Sequence, residues 1–280
     1  MNQLWCTQIL STLIEQGISL FCLSPGSRSS PLAWALFQEK RAQTVVHFDE
    51  RGMGFYALGA AKASLSAVAL ICTSGSAVAN LFPAVMAASL ERLPLILLTA
   101  DRPPELLDCG ANQTCDQTKI FGTYVRWESS IPCPDPKIDL KYLQSTISYA
   151  IFKAQNPMPG PVHLNCLFRE PLLTTTNKET PSVLPSTIYQ LQEGILNQEI
   201  VEQWKQLLDK SKKGVIILGS NCFPSTKELK DLKEFAEALD FPILPDILSS
   251  CRALSSPAVI PYYHTLLNDR YAFKPDLILH

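Results

Sequence analysis

Short apolar runs alternate along the first 170 residues with segments whose apolar positions recur at helical spacing. This alternation is typical of α/β proteins with a parallel sheet. Several runs are apolar at every position, as in strands that helices cover on both faces. The predicted strands are 18–23, 44–48, 67–72, 93–99 and 161–166, and the predicted helices are 3–16, 31–38, 51–63, 77–90 and 140–153.

The pattern changes after residue 170, where Thr, Ser, Pro and Asn replace the periodic apolar positions. Such a composition is typical of a semi-extended linker between domains. A second αβ unit follows, with predicted helices at 199–210 and 225–239 and predicted strands at 214–219, 241–244 and 276–280. We therefore predict an α/β domain at 1–172, a linker at 173–197 and part of a second α/β domain at 198–280. Because the last residues form a strand pattern with no following turn or helix, we expect the chain to be a fragment or a truncated product.

Composition excludes several classes of function. The 280 residues carry a net charge of −2 with a pI of about 6.1, so no basic surface for nucleic acid or anionic membrane is predicted. The longest apolar run covers residues 93–98, far below the roughly 20 residues of a membrane span. The nine cysteines are scattered without a C-x-x-C pair, and the N-terminus has no basic region of a secretory signal. We expect a cytoplasmic protein with reduced cysteines.

The first strand is followed by a loop with anion-binding chemistry. Residues 24–30 combine Gly26, several hydroxyl groups and the guanidinium of Arg28, and they lead directly into a helix. We predict Pro31 at the first helical position with Ser30 as its N-cap. Backbone N–H groups at such a helix start and an arginine together favour bound anions. An ordinary capped loop with a solvated arginine is an equally good interpretation of the spacing.

Two further loops follow strands of the same predicted sheet. Residues 73–76 follow the third strand with the same geometry, and Arg102 follows the fourth strand in a loop stiffened by prolines. Arg102 is a candidate clamp for a carboxylate, although a salt bridge to Asp101 or Glu105 is the alternative. Asn112 and Gln113 add two amides that could fix a polar ligand. Loops of this kind at one sheet edge predict a pocket for a small acidic substrate.

Glu50 is placed where the second strand ends and an Ala/Gly-rich helix begins, and residues 51–90 contain no further acid. Ligands of open α/β sheets gather at the carboxyl ends of strands, which makes this position a candidate site. One interpretation is an acid that only stabilises the helix start. The other is a partly buried carboxylate with a raised pKa, among the apolar residues Val45, Val46 and Phe48, that exchanges a proton with a bound heterocycle.

At these residues the chain resembles the thiamine diphosphate-dependent decarboxylase superfamily. The resembling segments are 24–29 (SPGSRS), 47–52 (HFDERG), 72–75 (CTSG), 98–106 (LTADRPPEL) and 110–113 (GANQ). The resemblance is good through Glu170 and weaker over 195–280, where it follows mainly the αβ pattern. Within the superfamily, the ADRPPE and GANQ segments match the branch that acts in menaquinone biosynthesis. The implied fold has three α/β domains, of which this chain contains the first, binding the cofactor pyrimidine, and part of the central one.

The resemblance also implies the chemistry. Glu50 would hydrogen-bond the pyrimidine of thiamine diphosphate and promote loss of the thiazolium C2 proton, with Pro25 also at the cofactor. The complete enzyme would decarboxylate 2-oxoglutarate and add the resulting carbanion to isochorismate. The substrate-binding residues implied are Ser27, Arg28, Arg102, Asn112 and Gln113.

The resemblance further implies a missing part. The Gly-Asp-Gly segment that would begin the diphosphate and Mg²⁺ site does not occur in the sequence, so no metal ligand is expected in this chain. A homodimer, or a complementing C-terminal chain, would complete the enzyme, and the chain alone is expected to be inactive. Two alternatives stay open: an inactive split or truncated relic that only binds a partner, and part of another thiamine diphosphate carboligase.

Overall fold

The computed structural model describes residues 1–174, 187–191, 194, 197–220, 226–267 and 274–280. The chain divides into two compact units, Met1–Gln192 and Glu193–His280, which are described separately below. Most of the predicted linker at 173–197 lies outside the described residues. The predicted domain boundaries stay predictions.

The first unit contains a six-stranded, fully parallel sheet in the order β2-β1-β3-β4-β6-β5. This confirms the predicted α/β class. The strands are β1 (Leu20–Leu23), β2 (Gln43–Val46), β3 (Val68–Cys72), β4 (Leu95–Asp101), β5 (Trp127–Ile131) and β6 (Val162–Leu167). The helices are α1 (Asn2–Glu15), α2 (Ser30–Gln38), α3 (Glu50–Ser64), α4 (Ser76–Asn80), α5 (Phe82–Glu91) and α6 (Leu140–Gln155).

Two elements of this unit differ from the prediction. Strand β5 was not predicted, because its sequence, Trp-Glu-Ser-Ser-Ile, has no apolar run and it forms the edge of the sheet beside β6. The helix predicted at 77–90 is two helices, α4 and α5. Pro83 lies in the first turn of α5 and has no N–H, so it cannot donate to the carbonyl four residues earlier and continue α4.

The sheet separates two hydrophobic cores, since successive strand residues point to opposite faces. On one face, Ala69, Ile71 and Ile96 pack against α1, α2 and α6. On the other face, Val68 and Leu70 pack against α3, α4 and α5. Because helices cover both faces of the sheet, the loops that follow different strands meet at its carboxyl edge.

The second unit contains a three-stranded parallel sheet in the order β8-β7-β9. Its elements are α7 (Gln198–Lys210), β7 (Gly214–Leu218), α8 (Thr226–Leu239), β8 (Ile243–Pro245), α9 (Tyr263–Leu267) and β9 (Leu277–Leu279). Leu232 and Ala236 of α8 pack on Ile216 and Ile243 of the sheet. Among the described residues of the whole chain, no helix combines the length and apolar character that crossing a bilayer requires.

Candidate active site

The candidate site lies at the carboxyl edge of the first sheet, where the strand order reverses. From β1 the chain moves to β2 on one side, and then to β3 on the other, so the loops after β1 and β3 are neighbours. Such reversals are the places where open α/β sheets bind ligands. The backbone N–H of Ser24 donates to the carbonyl of Ile71 at 2.9 Å. Gly26 then approaches Thr73 so closely that a Cβ atom on Gly26 would lie 2.3 Å from the Thr73 Cβ.

Glu50 is the first residue of α3, but it does not cap the helix. Asp49 is the N-cap, and its carboxylate accepts a hydrogen bond from the Gly52 N–H at 2.8 Å. Glu50 is half-buried and has no hydrogen-bond or ion-pair partner within the part of the chain that is described. The sequence-based view of its surroundings needs correction, because Val46 is 64% exposed and Phe48 is 87% exposed. These two residues belong to the edge strand and the loop after it, where no neighbouring strand covers them.

The loop after β1 differs from the prediction at its helix start. Ser29 precedes the first helical residue, so Ser30 is inside α2 and is not its N-cap. The Ser30 hydroxyl instead donates to the Ser27 carbonyl at 2.6 Å, and Ser29 donates to the Gly26 carbonyl at 3.0 Å. The side chains of Pro25 and Ser27 are exposed at the loop surface. They are therefore accessible to a ligand at this edge.

Arg28 is buried beneath this loop, not solvated. Its Nη1 donates to the Phe168 carbonyl at 3.0 Å, and its Nη2 donates to Glu170 at 3.3 Å. The Glu170 side chain is 72% exposed, so solvent weakens its attraction to the guanidinium. The Nε of Arg28 and the hydroxyl of Ser24 are both buried without a hydrogen-bond partner in the described residues. Orphaned buried polar atoms are rare, and here two of them lie in one loop.

Arg102 does not form the alternative salt bridge. Its Nη1 donates to the Ser74 hydroxyl and, at 2.8 Å, to the Gln113 carbonyl. Glu105 pairs with Arg169 instead. Burial, together with the positive charge of the nearby Arg28, lowers the pKa of Arg102. The two guanidinium groups thus lie in one mostly buried region, where their positive charges are only weakly compensated. Such a region favours a bound anion.

The two amides of the predicted pocket behave differently. Gln113 reaches back to the loop after β3, where its Nε2 donates to the Ser74 carbonyl at 3.0 Å. Its backbone carbonyl accepts from Arg102, so Gln113 helps to hold that arginine. Asn112 has an exposed side chain, and its backbone carbonyl accepts from the Thr114 hydroxyl at 3.2 Å. The structure therefore brings Arg102 and Gln113 together and leaves Asn112 at the surface.

Sequence reasoning missed a buried polar network under these loops. Its members are the side chains of Thr99, Asp101, Gln117, His163 and Asn165, all at most 4% exposed. Burial raises the pKa of Asp101 and lowers the pKa of His163 to about 4. The available signal was the alternation of His163 and Asn165 with apolar residues in β6. A strand buried on both faces has no reason to carry two polar side chains on one of them unless they have partners.

The loops of the candidate site lie in a region that matches a known protein family. Residues 6–120 match the family described as "Thiamine pyrophosphate enzyme, N-terminal TPP binding domain". The match contains β1 to β4 and the loops that carry Glu50, Arg28, Arg102 and Gln113. Over this region the chain is similar to the thiamine pyrophosphate enzymes.

Several proteins that are similar to this chain over nearly its whole length are named 2-succinyl-5-enolpyruvyl-6-hydroxy-3-cyclohexene-1-carboxylate synthase. The protein of Rubrobacter xylanophilus is 41% identical over 95% of this chain and 47% of its own length. The protein of Chlorobium phaeobacteroides is 41% identical over 99% of this chain and 49% of its own length. That of Pelodictyon phaeoclathratiforme is 39% identical over 100% of this chain and 49% of its own. The chain spans about half the length of the curated relatives it matches.

Proposed function

We propose that this chain is the N-terminal half of a 2-succinyl-5-enolpyruvyl-6-hydroxy-3-cyclohexene-1-carboxylate synthase, a thiamine diphosphate-dependent transferase of menaquinone biosynthesis. The names of the similar proteins and the matching domain support it. One observation carries it: two buried guanidinium groups, Arg28 and Arg102, share the sheet edge with Glu50, a half-buried carboxylate without a described partner. That combination suits an enzyme whose substrates are carboxylates and whose cofactor is a nitrogen heterocycle.

The residues present fit the pyrimidine of the cofactor. A carboxyl group that shares a proton with a ring nitrogen needs an oxygen that no protein donor already occupies, and Glu50 has one because Asp49 caps the helix. The Ser24 hydroxyl is buried and unpartnered in the described structure, and Pro25 is exposed beside it. Glu50 and Pro25 are therefore the proposed contacts of the pyrimidine.

When bound, thiamine diphosphate supplies the carbanion chemistry that decarboxylation of 2-oxoglutarate and addition to isochorismate require. The role of Glu50 is to hold a proton at the pyrimidine nitrogen and so favour the reactive tautomer of that ring. Its position at the start of α3 fixes the carboxyl group with respect to the carboxyl edge of β1 and β3. A fixed acid–base group avoids the reorganisation that a mobile one would need in each cycle.

Both proposed substrates carry two carboxylates, which Arg28 and Arg102 are suited to bind. A guanidinium meets a carboxylate with two parallel hydrogen bonds, and it keeps its charge when buried. Ser27 and Asn112 offer exposed polar groups at the rim of the site. Gln113 is proposed to act mainly through Arg102, because its carbonyl accepts from that guanidinium.

The diphosphate and Mg²⁺ are proposed to bind to the half of the enzyme that lies outside this chain. A homodimer, or a complementing C-terminal chain, would bring the two halves together. Exposed apolar side chains close to Glu50 in the chain support such a contact, since Val46 is 64% exposed and Phe48 is 87% exposed. Cytoplasmic location is proposed from the cysteines, since seven of them in the described part of the chain are free thiols: Cys6, Cys22, Cys72, Cys109, Cys115, Cys133 and Cys166.

The test measures release of carbon dioxide from 2-oxoglutarate and consumption of isochorismate, with thiamine diphosphate and Mg²⁺ present. The complete enzyme that carries these 280 residues should perform both, and the 280-residue chain alone should perform neither. Decarboxylation without use of isochorismate would indicate another carboligase of the superfamily. A complete enzyme with neither activity would overturn the proposal in favour of an inactive relic, and turnover by the pure chain would refute the proposed division of ligands.

A further inference from the structure

Gln117 ties together three parts of the carboxyl edge from a buried position. Its side chain is 1% exposed. Its Oε1 accepts from the Gly75 N–H at 2.8 Å, and its Nε2 donates to the Asn165 Oδ1 at 2.7 Å and to the Ala100 carbonyl at 3.2 Å. One side chain therefore joins the loop after β3 to the ends of β4 and β6.

The network beyond Gln117 returns to Arg102 from both directions. On one side, the Asn165 Nδ2 donates to Asp101 at 2.8 Å, and the other carboxylate oxygen of Asp101 accepts from the Arg102 N–H at 2.7 Å. On the other side, Gly75 is adjacent to Ser74, whose hydroxyl accepts from the Arg102 guanidinium. The hydrogen bonds and the short backbone link close a ring that fixes Arg102 at its backbone and at its charged end.

The polarity of this ring permits one arrangement of its two amides. The Gly75 N–H can only donate, and an ionised Asp101 carboxylate can only accept. Gln117 must therefore turn its oxygen toward Gly75, and Asn165 must turn its nitrogen toward Asp101. Position 75 favours glycine, because Gly75 has a φ of +77° and a Cβ there would lie 2.9 Å from the Gln113 side chain.

We propose that Gln117 is a positioning residue that holds the carboxylate-binding guanidinium of Arg102 in place. The inference rests on the proposed function, which assigns substrate carboxylates to Arg102. A purely structural role would resemble that of Gln144, which is also buried. Among the described residues, the Gln144 side chain bonds Ser148 and Thr187, at 3.3 and 3.0 Å, and neither of these partners belongs to a loop of the candidate site. Gln117 differs because the path that starts at its Oε1 and the path that starts at its Nε2 both end at Arg102.

Gln117→Met in the complete enzyme keeps the length of the side chain and removes its hydrogen bonds. We expect the KM for 2-oxoglutarate or isochorismate to rise roughly tenfold. This is the change in affinity that corresponds to the free energy of about one hydrogen bond. The double variant Gln117→Met/Arg102→Ala should have the KM of Arg102→Ala alone, because Gln117 acts through that guanidinium. Hydrogen exchange at the Gly75 amide should become faster in Gln117→Met.

Gln144→Met is the matched control, which should lower the melting temperature and leave KM and Gly75 exchange unchanged. Equal KM values for Gln117→Met and the parent, or additive effects in the double variant, would overturn the positioning role. If the parent enzyme itself uses neither substrate, the proposed function fails, and with it the assignment of carboxylates to Arg102. Gly75 exchange would in that case still report whether Gln117 anchors the loop, so the two failures are distinguishable.

Discussion

Gly26 lies against Thr73 with no space for a side chain between them: a Cβ atom on Gly26 would be 2.3 Å from the Thr73 Cβ and 2.8 Å from its Oγ1. The contact joins the loops after β1 and β3, the two strands between which the order of the sheet reverses. Because β3 is fully buried, Thr73 at its end cannot retreat without moving the core. The glycine therefore sets the separation of the two loops that form the candidate site.

Gly26→Ala should consequently destabilise the protein by roughly 1–3 kcal/mol, the usual cost of overpacking a tight contact. Gly59→Ala is the matched control, since Gly59 is exposed in α3 and nothing lies within 4 Å of its Cβ position. There the substitution should stabilise the helix by up to about 1 kcal/mol. Urea unfolding of both variants measures the difference. Equal stabilities would show that the loops separate freely.

His163 is expected to make the protein acid-sensitive. It is 1% exposed in β6, where its Nε2 contacts the Thr99 hydroxyl and its ring meets that of Phe121, and burial lowers its pKa to about 4. In the unfolded chain an imidazole titrates near pH ~6.5, so between about 6.5 and 4 only the unfolded state gains the proton. Stability contributed by the neutral imidazole is thus complete above that range and falls as the pH decreases through it. The loss should reach roughly 3 kcal/mol, at about 1.4 kcal/mol per pKa unit.

The measurement is the free energy of unfolding of the parent and of His163→Gln at several pH values between 4 and 8. The variant should lack this part of the pH dependence, whatever its stability at neutral pH. His264→Gln should retain it, because His264 is exposed. Parallel pH profiles for the parent and His163→Gln would contradict the low pKa.

Arg102 should matter more for substrate than for folding. In the complete enzyme, Arg102→Ala should reduce kcat/KM by the equivalent of roughly 2–4 kcal/mol, the range for truncating one partner of a buried charge pair. Arg126→Ala is the control, since Arg126 is also held by carbonyls, those of Ser89, Met158 and Pro159, but precedes β5 at the opposite edge of the sheet. It should lower the melting temperature with little effect on kinetics. A stability loss for Arg102→Ala with unchanged kinetics would assign it a structural role.

The periodic pattern was sufficient to predict the sheet, because five of the six strands of the first unit carry apolar runs. Strand β5 could not be predicted in this way, since an edge strand with half-exposed positions has no such run. The elements that meet at the carboxyl edge followed from the strand–loop–helix order. The hydrogen-bond partners of their side chains could not be predicted in this way. Arg102 bonds Ser74 and Gln113, and Glu105 bonds Arg169, because loops far apart in sequence pack together.

Glu50 shows the same limit for the environment of a single side chain. Its place at the start of a helix was evident from the sequence, whereas the exposure of Val46 and Phe48 was not. An apolar run predicts a strand, but it does not reveal whether that strand lies at the edge of the sheet. The apolar residues around Glu50 would become buried if another domain or subunit covered them, which links the proposed role of Glu50 to the proposed half of the enzyme outside this chain.

Glu50→Gln in the complete enzyme is the decisive substitution for the proposed chemistry. The amide keeps the size of the side chain but cannot share a proton with the pyrimidine nitrogen, so the rate should fall roughly 10²–10⁴-fold, the usual span for a positioned acid–base group. The direct measurement is the exchange rate of the C2 proton of bound thiamine diphosphate, which should fall in parallel. Folding should be nearly normal, because Glu50 makes no hydrogen bond to the described residues.

Asp49→Ala separates this role from that of a helix-start acid. Asp49 is the residue whose carboxylate accepts from the Gly52 N–H, so its loss should lower the melting temperature. It should leave C2-proton exchange close to that of the parent, provided that α3 still begins at Glu50. The two substitutions are adjacent and both remove one negative charge from the helix start, so a dipole effect would act on them alike. Fast exchange in Glu50→Gln, or equally slow exchange in both variants, would therefore assign Glu50 to the helix and not to the cofactor.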